Sequence, residues 1–407
     1  MRERKSAMAA IKITENLYSV GILNPNMRIF DVVMRTEYGT TYNSYLLRGE
    51  QKTALIETCH KTYFEQYLSN IREIADTEQI DYIILNHCEP DHSGALAELL
   101  SLCPNAEILV SRAGAIYLKN ITNREDLKIR FVKDGESIDL GGRQLRFISA
   151  PFLHWPDSMF TWDEQDKTLF SCDMFGSHYC EPHTFDYNIV YPGQYQQALK
   201  GYYDAIFGPF KPYVLAGMEK IADLPIERIC TSHGPVLSRG CLMEKVMEQY
   251  RAWSQPAAKE QKSIPVFYCS AYGNTGKIAQ AIAQGIKEAL PEADCPVYDV
   301  NDHDMGFLQG ELNASDAFAV GSPTINQDAV APIWNLLSHV DAINNKKRPA
   351  LVFGSYGWSG EAVPNLTARL AGLKSNVFGE GFKVTFVPSE EDLNQARELG
   401  KAFAESL

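Results

Sequence analysis

The sequence has no Cys-x-x-Cys pair; its nine cysteines, at 59, 88, 103, 172, 180, 230, 241, 269 and 295, are scattered and odd in number. That spacing excludes a closely spaced thiolate site for iron–sulfur chemistry and speaks against a disulfide framework. Most of the thiols are expected to be small apolar core groups in a reducing compartment. No apolar run approaches the ~20 residues of a membrane-spanning helix. The first ten residues, M-R-E-R-K-S-A-M-A-A, lack the apolar stretch of a signal peptide. A short disordered lead and a cytoplasmic location are therefore expected. A basic face is missing too: 38 Lys+Arg stand against 51 Asp+Glu, for a net charge of −13. Without a Lys/Arg cluster to engage phosphates, neither nucleic acid nor a membrane is expected as a partner.

What is present is a globular composition, 45% hydrophobic and 22% charged over 407 residues, enough chain for two domains. Residues 81–94 read D-Y-I-I-L-N-H-C-E-P-D-H-S-G. The run Tyr82-Ile83-Ile84-Leu85 has the length and β-branched content of a buried strand. Immediately after it come His87, Glu89, Asp91 and His92. Crowded carboxylates repel one another, and a metal cation removes that cost while using the imidazole lone pairs. Pro90 stiffens the turn, and Ser93-Gly94 is expected to start a helix over Ala95 to Leu100.

Strands are also expected at residues 42–47, 53–58, 106–111 and 145–150, with a helix near 61–74. Three further strand ends repeat the pattern of the first. His154 follows the 145–150 strand between Pro151 and Pro156. Asp173 ends Thr168-Leu169-Phe170-Ser171-Cys172. His233 ends Arg228-Ile229-Cys230-Thr231-Ser232 and is backed by Gly234-Pro235. Each places a ligand-type residue and a backbone breaker directly after a strand.

In this order, His-x-Glu-x-Asp-His, a lone His, a lone Asp and Ser-His-Gly resemble the metallo-β-lactamase fold and, more narrowly, the flavodiiron proteins. The resemblance implies an αββα sandwich with one iron on His87, Glu89 and His154. It implies a second iron on Asp91, His92 and His233, with Asp173 bridging the two. The general hydrolase family carries histidine where this chain has Glu89; a carboxylate there hardens the site and favours iron over zinc. His178 and Tyr202 are candidates to donate a proton or orient a ligand beside the metals. Tyr203 reads as aromatic packing, and His60, His183, His303 and His339 as structural or exposed.

A polar linker is expected over 255–262, between a first domain (1–254) and a second (263–407). Ile264-Pro265-Val266-Phe267-Tyr268-Cys269 is a strand running into Ser270-Ala271-Tyr272-Gly273-Asn274-Thr275-Gly276, with an amphipathic helix over 277–290. Strand, hydroxyl- and glycine-rich loop and helix N-terminus form a phosphate cradle. Neither the Gly-Lys-Ser/Thr of a nucleotide loop nor G-x-G-x-x-G is there. The stretch resembles the FMN-phosphate loop of flavodoxins, which implies a doubly wound parallel sheet. Two more loops are expected to meet the flavin at strand ends: Pro323-Thr324-Ile325-Asn326, and Ser355-Tyr356-Gly357-Trp358-Ser359-Gly360 with its two aromatics.

Taken over the whole chain, the resemblance implies an oxidoreductase of mixed α/β and α+β architecture, with FMN and a carboxylate-bridged pair of iron ions. It implies reduction of O2 to water, of NO to nitrous oxide, or of both. It also implies head-to-tail assembly as a homodimer or homotetramer. The donor is expected to be a separate molecule, rubredoxin or reduced deazaflavin F420. The contrasting reading is a zinc-dependent hydrolase carrying an accessory flavodoxin domain.

Overall fold

The structure, a computed structural model, describes residues 10–32, 34–256 and 261–407. The expected N-terminal lead through residue 9, and residues 257–260 of the expected linker, lie outside the described residues. The chain divides into two compact units, 1–256 and 257–407. Among the described residues no helix is long and apolar enough to cross a membrane.

Alternating apolar residues build the first unit in four layers. One sheet runs, edge to edge, Ile11–Lys12, Leu17–Ser19, Tyr45–Arg48, Thr53–Ile56, Tyr82–Leu85, Glu107–Val110 and Ile129–Phe131. The other runs Ser137–Asp139, Gln144–Ser149, Met159–Asp163, Thr168–Phe170, Arg228–Cys230 and Leu237–Ser238. Tyr45, Leu47, Ala54, Ile56, Ile84 and Leu109 face Leu145, Phe147, Met159 and Phe170 between the sheets. Their neighbours Leu46, Leu55, Ile83 and Ile108 point the other way, onto Tyr67, Ile71, Leu99 and Leu118 of outer helices. On the far side, Phe160, Trp162 and Leu169 pack against Leu199, Tyr202, Val214 and Val246. Period-two patterning thus fills both faces of both sheets, at ~1.5–3 kcal/mol for each large apolar side chain buried.

The strand expected at 42–47 is broken: Thr40–Tyr42 and Tyr45–Arg48 are separate strands in different sheets. Asn43 makes the break, its side-chain amide donating to the carbonyls of Thr231 and Gly234. The turn after Tyr82–Leu85 also differs from expectation. Pro90 occupies the first position of a short helix, Pro90–Ser93, so Asp91 and His92 sit on a helical turn ahead of Leu96–Leu100. Proline lacks an N–H and has a fixed φ, both suited to that first position.

In the second unit the strands order as Val297–Asp299, Val266–Tyr268, Phe318–Ile325 and Pro349–Tyr356, with Asn376–Val377 and Phe382–Thr385 both pairing on the last. These pairings are parallel. Val266, Ala319 and Leu351 face one helix layer, Phe267, Val320 and Val352 the other. This is a doubly wound sheet. On one face the helices Asn274–Ala289 and Glu390–Glu405 approach closely: a Cβ on Gly285 would lie 1.8 Å from the Arg397 carbonyl oxygen, and one on Gly400 2.1 Å from that of Ile282.

Seven of the nine cysteines are buried, in keeping with their expected place in the core; Cys180 is half-buried and Cys241 exposed.

Candidate metal centre

Gln144–Ser149, Thr168–Phe170 and Arg228–Cys230 run in the same direction, so their carboxyl ends share one edge of the second sheet. His154, Asp173 and His233 leave those ends. They meet His87, Glu89, Asp91 and His92 from the first sheet. His87, Asp91, His92, Asp173 and His233 are buried, and Glu89 and His154 half-buried.

Asp173 divides the cluster in two. Its Oδ2 lies 2.8 Å from His154 Nε2 and 3.2 Å from His87 Nε2. Glu89 Oε2 completes that half, 3.1 Å from His154 Nε2 and 3.5 Å from His87 Nε2. Asp173 Oδ1 faces the other way, 3.3 Å from His92 Nε2 and 3.6 Å from His233 Nε2. There Asp91 Oδ2 lies 3.0 Å from His92 Nε2 and 3.1 Å from His233 Nε2. All seven residues expected at the metals are brought together, His92 included.

Several polar atoms of the cluster lack a hydrogen-bond partner. Both Asp91 oxygens, Asp173 Oδ1 and His87 Nε2 are buried without a hydrogen bond, despite these close approaches. His92 Nε2 and His233 Nε2 are 3.1 Å apart. His154 Nε2 and Asp173 Oδ2, and His92 Nε2 and His233 Nε2, are within hydrogen-bond distance, while the other donor atoms converge on points between the side chains, as ligands do around cations. Such a group left to itself would be costly to bury.

Charge follows the same geometry. Burial would lift Glu89, but its contacts to His154 and His87 prevail and hold it at about 2. Burial would lower the imidazoles, yet the facing carboxylates raise His92 to about 10 and His154 to about 9. Asp173, against the pull of burial, is held far below the usual carboxylate range by the charges of His87 and His92.

His178 and Tyr202 lie behind His233, their ring centroids 5.0 and 5.9 Å from it. His178 Nδ1 is 2.8 Å from Thr40 Oγ1, and its ring packs on Phe30 at 4.3 Å. Tyr203 is a packing residue, its hydroxyl 2.8 Å from Ser254 Oγ. Beyond it, one wide helical turn, Tyr203–Phe207, carries Phe207 to within 6.1 Å of the His154 ring.

The phosphate cradle expected in the second unit has the necessary parts. Gly273, at φ +80°, caps the Asn274–Ala289 helix with no side-chain bond to its first N–H groups. Ser270 Oγ is buried without a partner, and Thr275 Oγ1 is 2.8 Å from Ser355 Oγ. The helix starts at Asn274, three residues before the expected 277. The other two stretches are corrected in part. Pro323, Thr324 and Ile325 lie within the strand Phe318–Ile325, and Ser355 and Tyr356 within Pro349–Tyr356. Only Asn326 and Gly357 to Gly360 follow the strand ends. Parallel register still sets Pro323 opposite Ser355, and Gly321 opposite Tyr268, so all three stretches share one edge. Tyr272 and Trp358 are 91% and 97% exposed there, aromatic rings with no protein cover. A cavity of about 960 Å3 beside the Asn274–Ala289 helix touches only Ser270 and Gly273 of these residues.

Sequence comparison matches residues 40–234 to the ODP family beta lactamase model and 266–400 to the flavodoxin model. A flavo-diiron protein, FprA2 of Clostridium acetobutylicum, is 51% identical over 401 residues, covering 98% of this chain and 100% of that protein. The chain belongs to the flavodiiron family. The anaerobic nitric oxide reductase flavorubredoxin of Vibrio vulnificus is 36% identical, over 97% of this chain and 79% of its own length. Among solved structures, rubredoxin:oxygen oxidoreductase from Desulfovibrio gigas superposes with a TM-score of 0.71 at 29% identity, covering 98% of each chain. As a member of that family, this flavodiiron protein is a diiron oxidoreductase.

Its site holds residues that the motif reading passed over. Glu57, directly after the strand Thr53–Ile56, is buried with Oε1 accepting from the Asn86 N–H at 2.9 Å. Burial pushes it up to about 7 against the pull of His92 and His87. Cys172 Sγ is 3.0 Å from His87 Nδ1, so the thiol braces the ring whose Nε2 faces the centre. Asp31, on the turn after Ile29–Phe30, brings another carboxyl to Glu89; burial and the charge of Glu89 push it up to about 6. Glu57 too stands directly after a strand, but no glycine or proline follows it in Thr58-Cys59-His60, so the pattern that marks Asp173 and His233 does not mark it.

Proposed function

We propose that this flavodiiron protein reduces O2 to water, NO to nitrous oxide, or both, with electrons entering through FMN. The observation that carries the reading is Asp173, whose two carboxylate oxygens each face a separate set of three ligand residues. His87, Glu89 and His154 would hold one iron, Asp91, His92 and His233 the other, and Asp173 would bridge them. FMN would rest its phosphate on Ser270 to Thr275, with its ring between the aromatic-bearing stretches around Tyr272 and Trp358. When bound, FMN takes up electrons and passes them on singly, and the iron pair supplies them to the gas. An external donor, rubredoxin or reduced deazaflavin F420, provides them, and copies assemble head to tail as a homodimer or homotetramer.

Reduction of O2 takes up four electrons and four protons and releases two waters. Coupling of two NO takes up two of each and releases nitrous oxide and one water. The chain's own part is to position ligands, shield the site and deliver protons. Burial of Asp91, His92 and Asp173 keeps bulk water from the donor atoms, which strengthens their grip on a cation. Phe207 and Phe210, 6.1 and 6.5 Å from the His154 ring, give that side an apolar wall.

The direct test is anaerobic reduction of the purified protein followed by mixing with O2 or with NO, tracking flavin and iron absorbance. Reoxidation much faster than that of free FMN is expected with at least one gas. Equal rates with both would sink the reading.

Metal loading should also be proton-linked. His92 and His154, raised to about 10 and about 9, carry protons at pH 7 in the metal-free protein, and a cation must displace them. Because the folded values exceed the ordinary ~6.5, this charge set stabilises the metal-free fold fully below that pH and ceases to as pH rises through 9 to 10. Adding divalent metal to the metal-free protein in weak buffer should therefore acidify it, by two protons or more per filled centre. Apparent affinity should climb with pH over the same range, as isothermal titration at several pH values would show.

A further inference from the structure

The two halves of the centre are held in place by different parts of the fold. The His233 loop is pinned by residues 41–45. Asn43 Nδ2 donates to the carbonyls of Thr231 and Gly234, both at 2.8 Å, and the Tyr45 hydroxyl donates to that of Thr231 at 2.6 Å. Thr41 Oγ1 accepts from the Gly234 N–H at 2.7 Å. His92 is fixed through its own carbonyl, which accepts from the Thr58 N–H at 2.8 Å. The loop that carries His154 closes instead on itself, with Ser158 Oγ 2.8 and 3.0 Å from the carbonyls of Leu153 and Trp155. Its base is pinned by the Met159 N–H, which donates to the Asn86 carbonyl at 2.8 Å.

Asp157, on that loop, reaches across to the other ligands of the half: its Oδ2 accepts from the Cys88 N–H at 2.8 Å. Cys88 stands between His87 and Glu89, and Asp157 three residues after His154. One carboxyl thus joins the two segments that carry all three ligands. Asp157 is buried, and its Oδ1 has no hydrogen-bond partner. An oxygen left idle in the interior is costly, so packing alone explains the residue poorly. The side chains it organises are also the less covered ones. Glu89 and His154 are 15% and 13% exposed, against 6%, 0% and 2% for Asp91, His92 and His233. Gly114, in the first turn of the helix Arg112–Thr122, faces the same contact. A Cβ there would meet Cys88 Sγ at 3.0 Å and Asp157 Oδ2 at 3.2 Å.

We infer that Asp157 is a positioning residue for one metal only: by holding the Cys88 backbone it sets His154 against His87 and Glu89. Without it the chain keeps a metal at Asp91, His92 and His233 alone. The inference rests on the division of ligands into two halves proposed above. Ligand side chains need placing to within about 0.5 Å, which a loop pinned at its base alone does not ensure.

Anaerobic calorimetric titration of the metal-free, full-length protein with Fe2+ tests it. The parent should bind two ions per chain. Asp157→Ala should keep one at parental affinity and bind the second ten- to a hundredfold more weakly. Oxidised with one ion bound, it should show the paramagnetic signal of an isolated ferric ion, which a coupled pair lacks. Asp157→Asn, which keeps an acceptor for the Cys88 N–H, should restore most of the second affinity. Gly114→Ala, which crowds the same contact from the helix, should lower it by less than Asp157→Ala does. His154→Ala should abolish the second binding, and adding Asp157→Ala to it should change nothing further, since both act on one half. FMN content and flavin reduction should stay parental throughout. Should Asp157→Ala fail to fold, Gly114→Ala carries the comparison, weakening the second ion and not the first. Weakening of both ions alike, or of neither, overturns the inference and leaves the diiron reading intact, as does further loss in the double variant. A parent that binds fewer than two ions overturns both.

Discussion

Asp173→Ala should remove both metals in one step. Oδ2 serves the half made by His87, Glu89 and His154, and Oδ1 the half made by His92, Asp91 and His233. Loss of any other ligand leaves one half complete; loss of Asp173 leaves neither. Removing even an outer hydrogen-bond partner of a ligand lowers metal affinity or activity ten- to a hundredfold. Removing this shared carboxylate should therefore lower gas-reducing turnover by more than about a hundredfold. The imidazoles lose with it the counter-charge that holds them protonated in the metal-free state, and buried unpaired charge typically costs ~3–5 kcal/mol. The metal-free variant should thus melt below the metal-free parent. The second unit does not share these residues, so FMN content and flavin reduction should stay at parental levels. Elemental analysis, flavin absorbance and calorimetry on the same preparations check all three. Retention of two irons per chain would mean that Asp173 does not bridge.

The cluster proposed to hold the metals was legible in the sequence because its residues come after strands that a local pattern marks. Ile83-Ile84-Leu85, Leu169-Phe170 and Ile229-Cys230 are short apolar runs, and the first polar groups after them stand at a sheet edge. What local pattern does not carry is the backbone conformation at those ends. Glu57, Phe152, Cys172 and Phe175 all adopt positive φ without being glycine. Such residues cost ~1–3 kcal/mol each and are held by the surrounding fold. Strand length in the sheet of the second unit was hidden for another reason. Glycine is depleted in strands, yet Gly321 and Gly354 both lie in strands squeezed between neighbours. A Cβ on Gly321 would meet the Phe353 ring at 2.2 Å, and one on Gly354 the Ser322 carbonyl oxygen at 2.4 Å. Glycine there answers a close approach, not a turn.

Glu89→His should exchange the metal as well as the activity. Glu89 Oε2 points between His87 and His154, facing both imidazoles alongside Asp173. With histidine in its place that half would present three imidazoles and one shared carboxylate, a set that suits zinc. For comparable nitrogen-rich sites Zn2+ is bound more tightly than Fe2+, and a hard oxygen donor is the lever that offsets this in favour of iron. Expression in medium with equal iron and zinc should shift the variant's content toward zinc. Zinc has no accessible redox change, so flavin reoxidation by O2 or NO should slow to the rate of free FMN. The electrostatics shift with it: Glu89 is the carboxylate that, after Asp173, raises His154 to about 9. Without it, fewer protons should be released per metal bound at pH 7, which separates a change of donor chemistry from simple damage to the fold. Glu89→Asp, which keeps the oxygen donor on a shorter stem, should retain iron where Glu89→His does not. Equal iron in both variants would show that the carboxylate is not what selects the metal.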